Sequence, residues 1–282
     1  MKCKQYFLLI LLLLLSAACS QENESQGQHK KNNEEYKSTV AVAPIEEKTE
    51  KQEKNEHVTG EMLEKTEIIG QVPQYKINPE NFNIDPIQDA TNNVVLLTID
   101  DAPDKNALEM AKTLKSLNVN AIFFVNGHFL AKPEQKAVLK EIHDMGFLIG
   151  NHTMTHENLK KLSEEEQNKE IVELNNLVEE ITGERPKFFR APFGANTDYS
   201  KQLAADEKMV LMNWSYGYDF MKDYMSKDAL IDIMINTELL HNGANLLMHD
   251  RQWTRDALKD IVFGLQNKGY GIADPLLIET LK

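Results

Sequence analysis

Cysteine is almost absent from this chain. Cys3 and Cys19 are the only two in 282 residues, and both lie at the N-terminus. No disulfide can staple the rest of the chain, so any folded part must be held by its own buried core. Clustered basic charge is missing as well. Lys and Arg number 31 against 44 Asp and Glu, a formal net charge of −13, and no Lys/Arg patch offsets it. That excludes the basic face a nucleic-acid binder needs, and no nucleic-acid partner is expected. Long apolar runs are lacking too. Phe7 to Leu15 falls well short of the roughly 20 residues that cross a bilayer comfortably.

That short run has the shape of a signal peptide. Met1-Lys2-Cys3-Lys4 supplies a basic region before it, and Ser16-Ala17-Ala18-Cys19 follows. Small residues ending in Cys resemble a bacterial lipobox, with Ser16 where Leu is usual. The resemblance implies a signal peptide over 1–18, lipidation of Cys19, and a chain anchored in the cell membrane facing the wall. The plain alternative is a secretory signal with an incidental Cys. Residues 19–70 then shift to Glu, Lys, Gln and Asn, as in Glu46-Glu47-Lys48-Thr49-Glu50-Lys51, with Tyr36 the lone aromatic. Such a stretch cannot bury enough apolar surface to order itself and is expected to be a disordered charged linker. As a coil, about 50 residues span roughly 40 Å, enough for a tether.

From residue 71 onward the pattern is that of one α/β domain. Val94–Ile99, Ala121–Val125, Phe147–Ile149, Lys187–Phe189, Val210–Met212 and Asn245–Met248 read as buried strands. Helical periodicity separates them: Leu108 to Leu117, Val138 to Met145, a long helix opened by the capping box Ser163-Glu164-Glu165-Glu166 and ended by Gly183, and segments near 199–206, 227–240 and 254–267. Alternation of this length predicts a parallel sheet, open or closed into a barrel.

Polar residues follow strand after strand. Asp100-Asp101 follows the first; His152 and His156 follow the third; Arg190, then Trp214 and Asp219, then His249-Asp250 follow later ones. In parallel α/β folds the C-terminal strand ends form one rim, where active sites sit. A helical or turn conformation after Asn151 would place His152 and His156 on one face, able to share a cation. Two imidazoles suit zinc or a similar metal.

Four ordered motifs carry a resemblance. Thr98-Ile99-Asp100-Asp101-Ala102-Pro103, His152-Thr153-Met154-Thr155-His156, Arg190-Ala191-Pro192-Phe193-Gly194 and Leu247-Met248-His249 resemble the motifs of the polysaccharide deacetylase family, carbohydrate esterases with a NodB homology domain. The similarity covers about residues 90–282. It implies a distorted (β/α) barrel, a divalent metal, usually zinc, and removal of N-acetyl groups from amino sugars. It further implies Asp101, His152 and His156 as metal ligands, Asp100 as general base oriented by Arg190, and His249 as general acid. Leu247 would line the pocket for the acetyl methyl, and Phe193 would sit beside the site with its backbone N–H facing the oxyanion.

The chain departs from the family pattern at Ile99 and Ala102 (usually Phe and Gly) and at Ala191 (usually Pro). The Asp-Trp pair that tunes the acid is also changed, since Asp219 is followed by Phe220. Asp219 is the expected tuning residue, with Asp223 as runner-up. Trp214 is placed among the substrate-binding residues, and Trp253, Tyr216 and Tyr218 are either sugar-stacking rings or packing residues. Export and tethering point to a cell-wall glycan, most simply peptidoglycan, as substrate. The competing expectation is a metal-containing lipoprotein that binds wall glycan without turnover.

Overall fold

Both faces of the predicted strands are covered, which is why they run as near-continuous apolar segments. The computed structural model describes residues 72–282; the signal peptide, Cys19 and the charged linker lie outside the described residues. A short antiparallel hairpin, β1 (Tyr75–Ile77) and β2 (Ile84–Pro86), precedes the main sheet. Then come β3 (Val94–Ala102), α1 (Ala107–Ser116), β4 (Ile122–Val125), α2 (Pro133–Asp144) and β5 (Leu148–Asn151). The next crossover holds α3 (Glu164–Asn168), a π-helical turn (Lys169–Glu173) and α4 (Leu174–Thr182). The chain continues through β6 (Phe188–Phe189), α5 (Asp198–Asp206), β7 (Val210–Leu211), α6 (Lys227–Asn236), β8 (Asn245–His249), α7 (Gln252–Asn267) and β9 (Gly271–Ile272).

The sheet is parallel throughout, in the order β7-β6-β5-β4-β3-β8, with β9 also pairing with the start of β3. It curls into a half-barrel. The segment after β7 reaches back to β8 through one isolated bridge, Tyr216 to Leu246, so closure on that side is irregular.

Strand alternation divides the side chains between two cores. On β3, Val95, Leu97 and Ile99 face the helices and pack with Met110, Leu114, Leu258 and Ile261. Val94 and Leu96 face the inside of the curl with Ile122, Phe124, Phe188 and Met212, and Tyr75 and Ile84 of the hairpin pack on the same cluster. Followed towards the C-terminal strand ends, the inward positions change from apolar to polar: Leu96, Thr98, Asp100 on β3; Leu148, Gly150, His152 along and just past β5; Phe188 then Arg190 at β6; Asn245, Leu247, His249 on β8. Gly150 is required where it stands, because a Cβ there would lie 2.5 Å from the Phe124 ring.

Several boundaries differ from the sequence reading. Asp100 and Asp101 belong to β3 itself rather than to the loop after it. The capping box of Ser163 and Glu166 forms, but the long helix it opens is interrupted by the π turn. α6 stops at Asn236, short of 240. The hairpin and β9 were not anticipated; at two or three residues each they are too short to show a period.

Candidate active site

Register brings the polar ends together. Asp100 pairs with His249 across β3 and β8, and Asn151 at the end of β5 pairs with Phe189 just before Arg190. Arg190 is fully buried. Its guanidinium lies over the Phe124 ring, 4.3 Å from the centroid. One nitrogen, Nη1, donates to Asp100 Oδ1 at 2.6 Å and to Thr98 Oγ1 at 2.8 Å, while Nη2 donates to the Asn213 carbonyl at 2.7 Å. Asp100 is therefore held by one edge, with Oδ2 facing His152 Nε2 at 3.4 Å.

The backbone carbonyl of Arg190 fixes His152. It lies 2.6 Å from His152 Nδ1, an arrangement that assigns the proton to Nδ1 and leaves Nε2 as a lone-pair donor. Burial pushes the His152 pKa down against the raising effect of the nearby Asp100 charge, which favours the neutral ring. His156 Nε2 lies 3.5 Å and His152 Nε2 4.0 Å from Asp101 Oδ1. One donor atom from each of Asp101, His152 and His156 falls within 4.8 Å of the others. Two imidazole nitrogens and one carboxylate oxygen at this separation fit a divalent first-row cation with positions left open.

The two histidines reach this position without a helix. The loop from 152 to 156 turns through positive φ at Thr153 (72°) and His156 (63°), so of the helical and turn conformations the sequence allows, the structure has the turn. Asp101 (61°) and Phe193 (59°) are also left-handed. Such residues each cost on the order of 1–3 kcal/mol and persist where the surroundings over-determine them. Here the surroundings are specific. Widening the helix into a π turn redirects backbone carbonyls: Glu170 O accepts from Met154 N at 2.9 Å, and Ile171 O accepts from Asn151 Nδ2 at 2.8 Å. The buried Glu170 carboxylate accepts from Thr155 N and from its hydroxyl.

Opposite this group stands His249. Its Nδ1 lies 2.7 Å from Asp219 Oδ1, and its backbone N–H donates to Asp219 Oδ2 at 2.6 Å. Asp219 is fully buried and also accepts from Thr254 Oγ1. Burial alone would lower the His249 pKa, but the Asp219 hydrogen bond and charge, with Asp100 and Asp101, outweigh it and raise the pKa above the ordinary value. The runner-up, Asp223, is exposed in a short turn, Lys222–Tyr224.

A cavity of about 410 Å³ opens over these groups, walled by Leu247, Trp214, Phe193 and Phe220. Phe193 projects outward, 66% exposed, and packs edge-on to His156 with centroids 4.9 Å apart. A wider hollow of about 570 Å³ elsewhere, over Arg185 and Glu207, holds mutually paired surface charges.

Of the two roles open to Tyr216 the structure has packing: it is buried, with its hydroxyl donating to Met234 O. Tyr218 bonds Thr237, and Trp253 Nε1 donates to the Asp219 carbonyl, so that indole supports the His249 side. Sequence reasoning gave no role to Glu170, which lay hidden on a charged helix face, to Arg251, or to Asp250. Asp250 accepts from the backbone N–H groups of Asp104, Asn106 and Ala107 and so ties the start of α1 to the end of β8. Its place directly after His249 was the one available signal.

The profile of the family described as polysaccharide deacetylase matches residues 87–211. A peptidoglycan-N-acetylglucosamine deacetylase of Bacillus cereus is 30% identical over 195 residues, covering 67% of this chain and 69% of that protein. The peptidoglycan-N-acetylmuramic acid deacetylase PdaC of Bacillus subtilis is 30% identical over 224 residues, covering 77% of this chain but only 45% of its own length. Among solved structures, a mutant of a CE4 family pseudoenzyme with restored enzymatic activity superposes with a TM-score of 0.60 at 31% identity, covering 66% of this chain and 68% of that one.

Proposed function

Because the chain belongs to the polysaccharide deacetylase family, we propose that it is a hydrolase removing N-acetyl groups from amino sugars of a cell-wall glycan, with peptidoglycan as substrate. The observation that carries this reading is the division of labour between adjacent aspartates. Arg190 holds Asp100, Asp101 faces His152 and His156, and His249 backed by Asp219 stands across from them.

Asp101, His152 and His156 would hold a divalent cation, zinc by donor type. When bound there it supplies a Lewis acid for the acetyl carbonyl and brings the pKa of water to about 7. The remaining work falls to the chain's own groups. Asp100, aligned by Arg190, takes a proton from the attacking water as its oxygen adds to the carbonyl carbon. The Phe193 backbone N–H faces the oxygen on which negative charge develops. Protonated His249 keeps its Nδ1–H donating to Asp219 and delivers its Nε2 proton to the amine nitrogen as the C–N bond breaks. Acetate and a free amine leave. Each proton transfer is worth roughly 10²–10⁴ in rate. Leu247 and Trp214 exclude water around the acetyl methyl.

We also propose that the protein works at the outer face of the cell membrane, anchored through lipid on Cys19 and spaced from it by residues 19–70, so that its substrate is the wall rather than a cytoplasmic sugar. The likeness to a pseudoenzyme favours one competing reading, a cation-holding wall binder without turnover. Acetate release from acetylated peptidoglycan fragments, with zinc supplied, separates the two. Binding with no acetate from any acetylated polymer would overturn the deacetylase reading.

A further inference from the structure

Both aspartates at the end of β3 have a guanidinium partner. Arg190 pairs with Asp100 at 2.6 Å, and Arg251 Nη2 donates to Asp101 Oδ2 at 2.8 Å. The first pair is buried and sets the orientation of Asp100. The second differs in kind. The Arg251 side chain is 36% exposed and lines the mouth of the cavity. It is also anchored locally, with Nη1 donating to the Asp250 carbonyl at 3.2 Å. Its position is built: it is the residue preceding α7, and its backbone N–H donates to the His249 carbonyl at 2.8 Å.

The two oxygens of Asp101 thus have different duties. Oδ1 faces His156 and His152, and Oδ2 is occupied by Arg251. We propose that Arg251 is a positioning residue that restricts Asp101 to one-oxygen donation and, as a fixed positive charge on the ligand carboxylate, deliberately weakens the hold of the site on its cation. This rests on the proposed cation site.

Three effects compete when Arg251 is removed. Outer partners that merely orient a ligand strengthen a site, and losing them costs 10–100-fold in affinity. Against that, Oδ2 becomes free to donate as a second oxygen, and a like charge beside the cation disappears. Orientation is the smallest of the three here, because Asp101 is a short side chain with only two torsions to fix, set on β3 with Oδ1 already facing both imidazoles. The two remaining effects share a sign. Loss of Arg251 should tighten cation binding and fill a coordination position that substrate and water need.

The test measures zinc affinity by competition with a chromophoric chelator, using the full-length protein in detergent. Arg251→Gln is expected to bind zinc about tenfold more tightly, the scale of one like charge removed from a partly exposed site, and to release acetate more slowly. The visible absorption of its cobalt-loaded form should fall as coordination number rises. Arg251→Lys keeps the charge and should stay close to the parent in affinity. Weaker or unchanged zinc binding by a folded Arg251→Gln protein overturns the proposal, as does equal tightening in Arg251→Lys. A parent that binds zinc but releases no acetate leaves these affinities readable and overturns only the deacetylase reading; a parent that binds no zinc overturns both.

Discussion

Asp100 and His249 are register partners on adjacent parallel strands, yet each is held by a different buried residue, Asp100 by Arg190 and His249 by Asp219. Two groups proposed to move protons in opposite directions therefore face one cavity from independent supports. Perturbing one support should leave the other group in place.

The aspartate pair gives the sharpest expectation. Asp100→Asn should keep its cation and lose turnover by roughly 10²–10⁴, as expected for a missing general base. Asp101→Asn should lose both together. Metal content by elemental analysis, beside acetate release, checks the split; equal acetate release by Asp100→Asn and parent would show that the base has been misassigned.

The His249 side predicts a pH dependence. The raised pKa keeps His249 protonated to higher pH than an ordinary histidine, so turnover should decline as pH rises through that raised value. A bound cation offsets the charges of Asp100 and Asp101, leaving Asp219 as the principal support. In Asp219→Asn burial dominates, the pKa drops, and the alkaline limb of the rate profile should move to lower pH with cation content unchanged. A limb that stays in place would remove Asp219 from the assignment.

Gly150→Ala should destabilise the fold. The added methyl group meets the Phe124 ring at 2.5 Å, and that ring is pinned beneath Arg190. Overpacking of this kind costs about 1–3 kcal/mol. Thermal melting of the variant checks it, and a melting temperature equal to the parent's would mean the ring can move aside.

Cys19→Ala should release the protein from the membrane fraction. Two acyl chains anchor stably where one is marginal, and the apolar run from Phe7 to Leu15 is short for a span. Cell fractionation of the variant decides; undiminished membrane association would exclude the lipid anchor.

Strand positions were legible because a buried parallel strand leaves a run such as Val94 to Ile99, and the candidate site because its polar residues each close such a run. What stayed hidden is geometry with no periodic trace. The loop holding His152 and His156 depends on two left-handed residues, neither of them glycine, so nothing in the sequence marks the turn. The π turn looks like continuous helix in sequence, since one widened turn does not break the apolar spacing of Ile171, Leu174 and Val178. Tyr216, among Ser215, Gly217 and Tyr218, could not be assigned to stacking or packing from sequence; the irregular bridge to Leu246 places it inside.

The order of residues along the chain divides the site in two. Asp101, His152 and His156 lie between β3 and the loop after β5, whereas Asp219, His249, Trp253 and Thr254 all come from after β7. The first set meets the later segment at Arg251, which donates to Asp101 Oδ2. Substitutions confined to Asp219, His249, Trp253 and Thr254 would therefore silence the proposed proton delivery while leaving the three candidate ligands on their own elements.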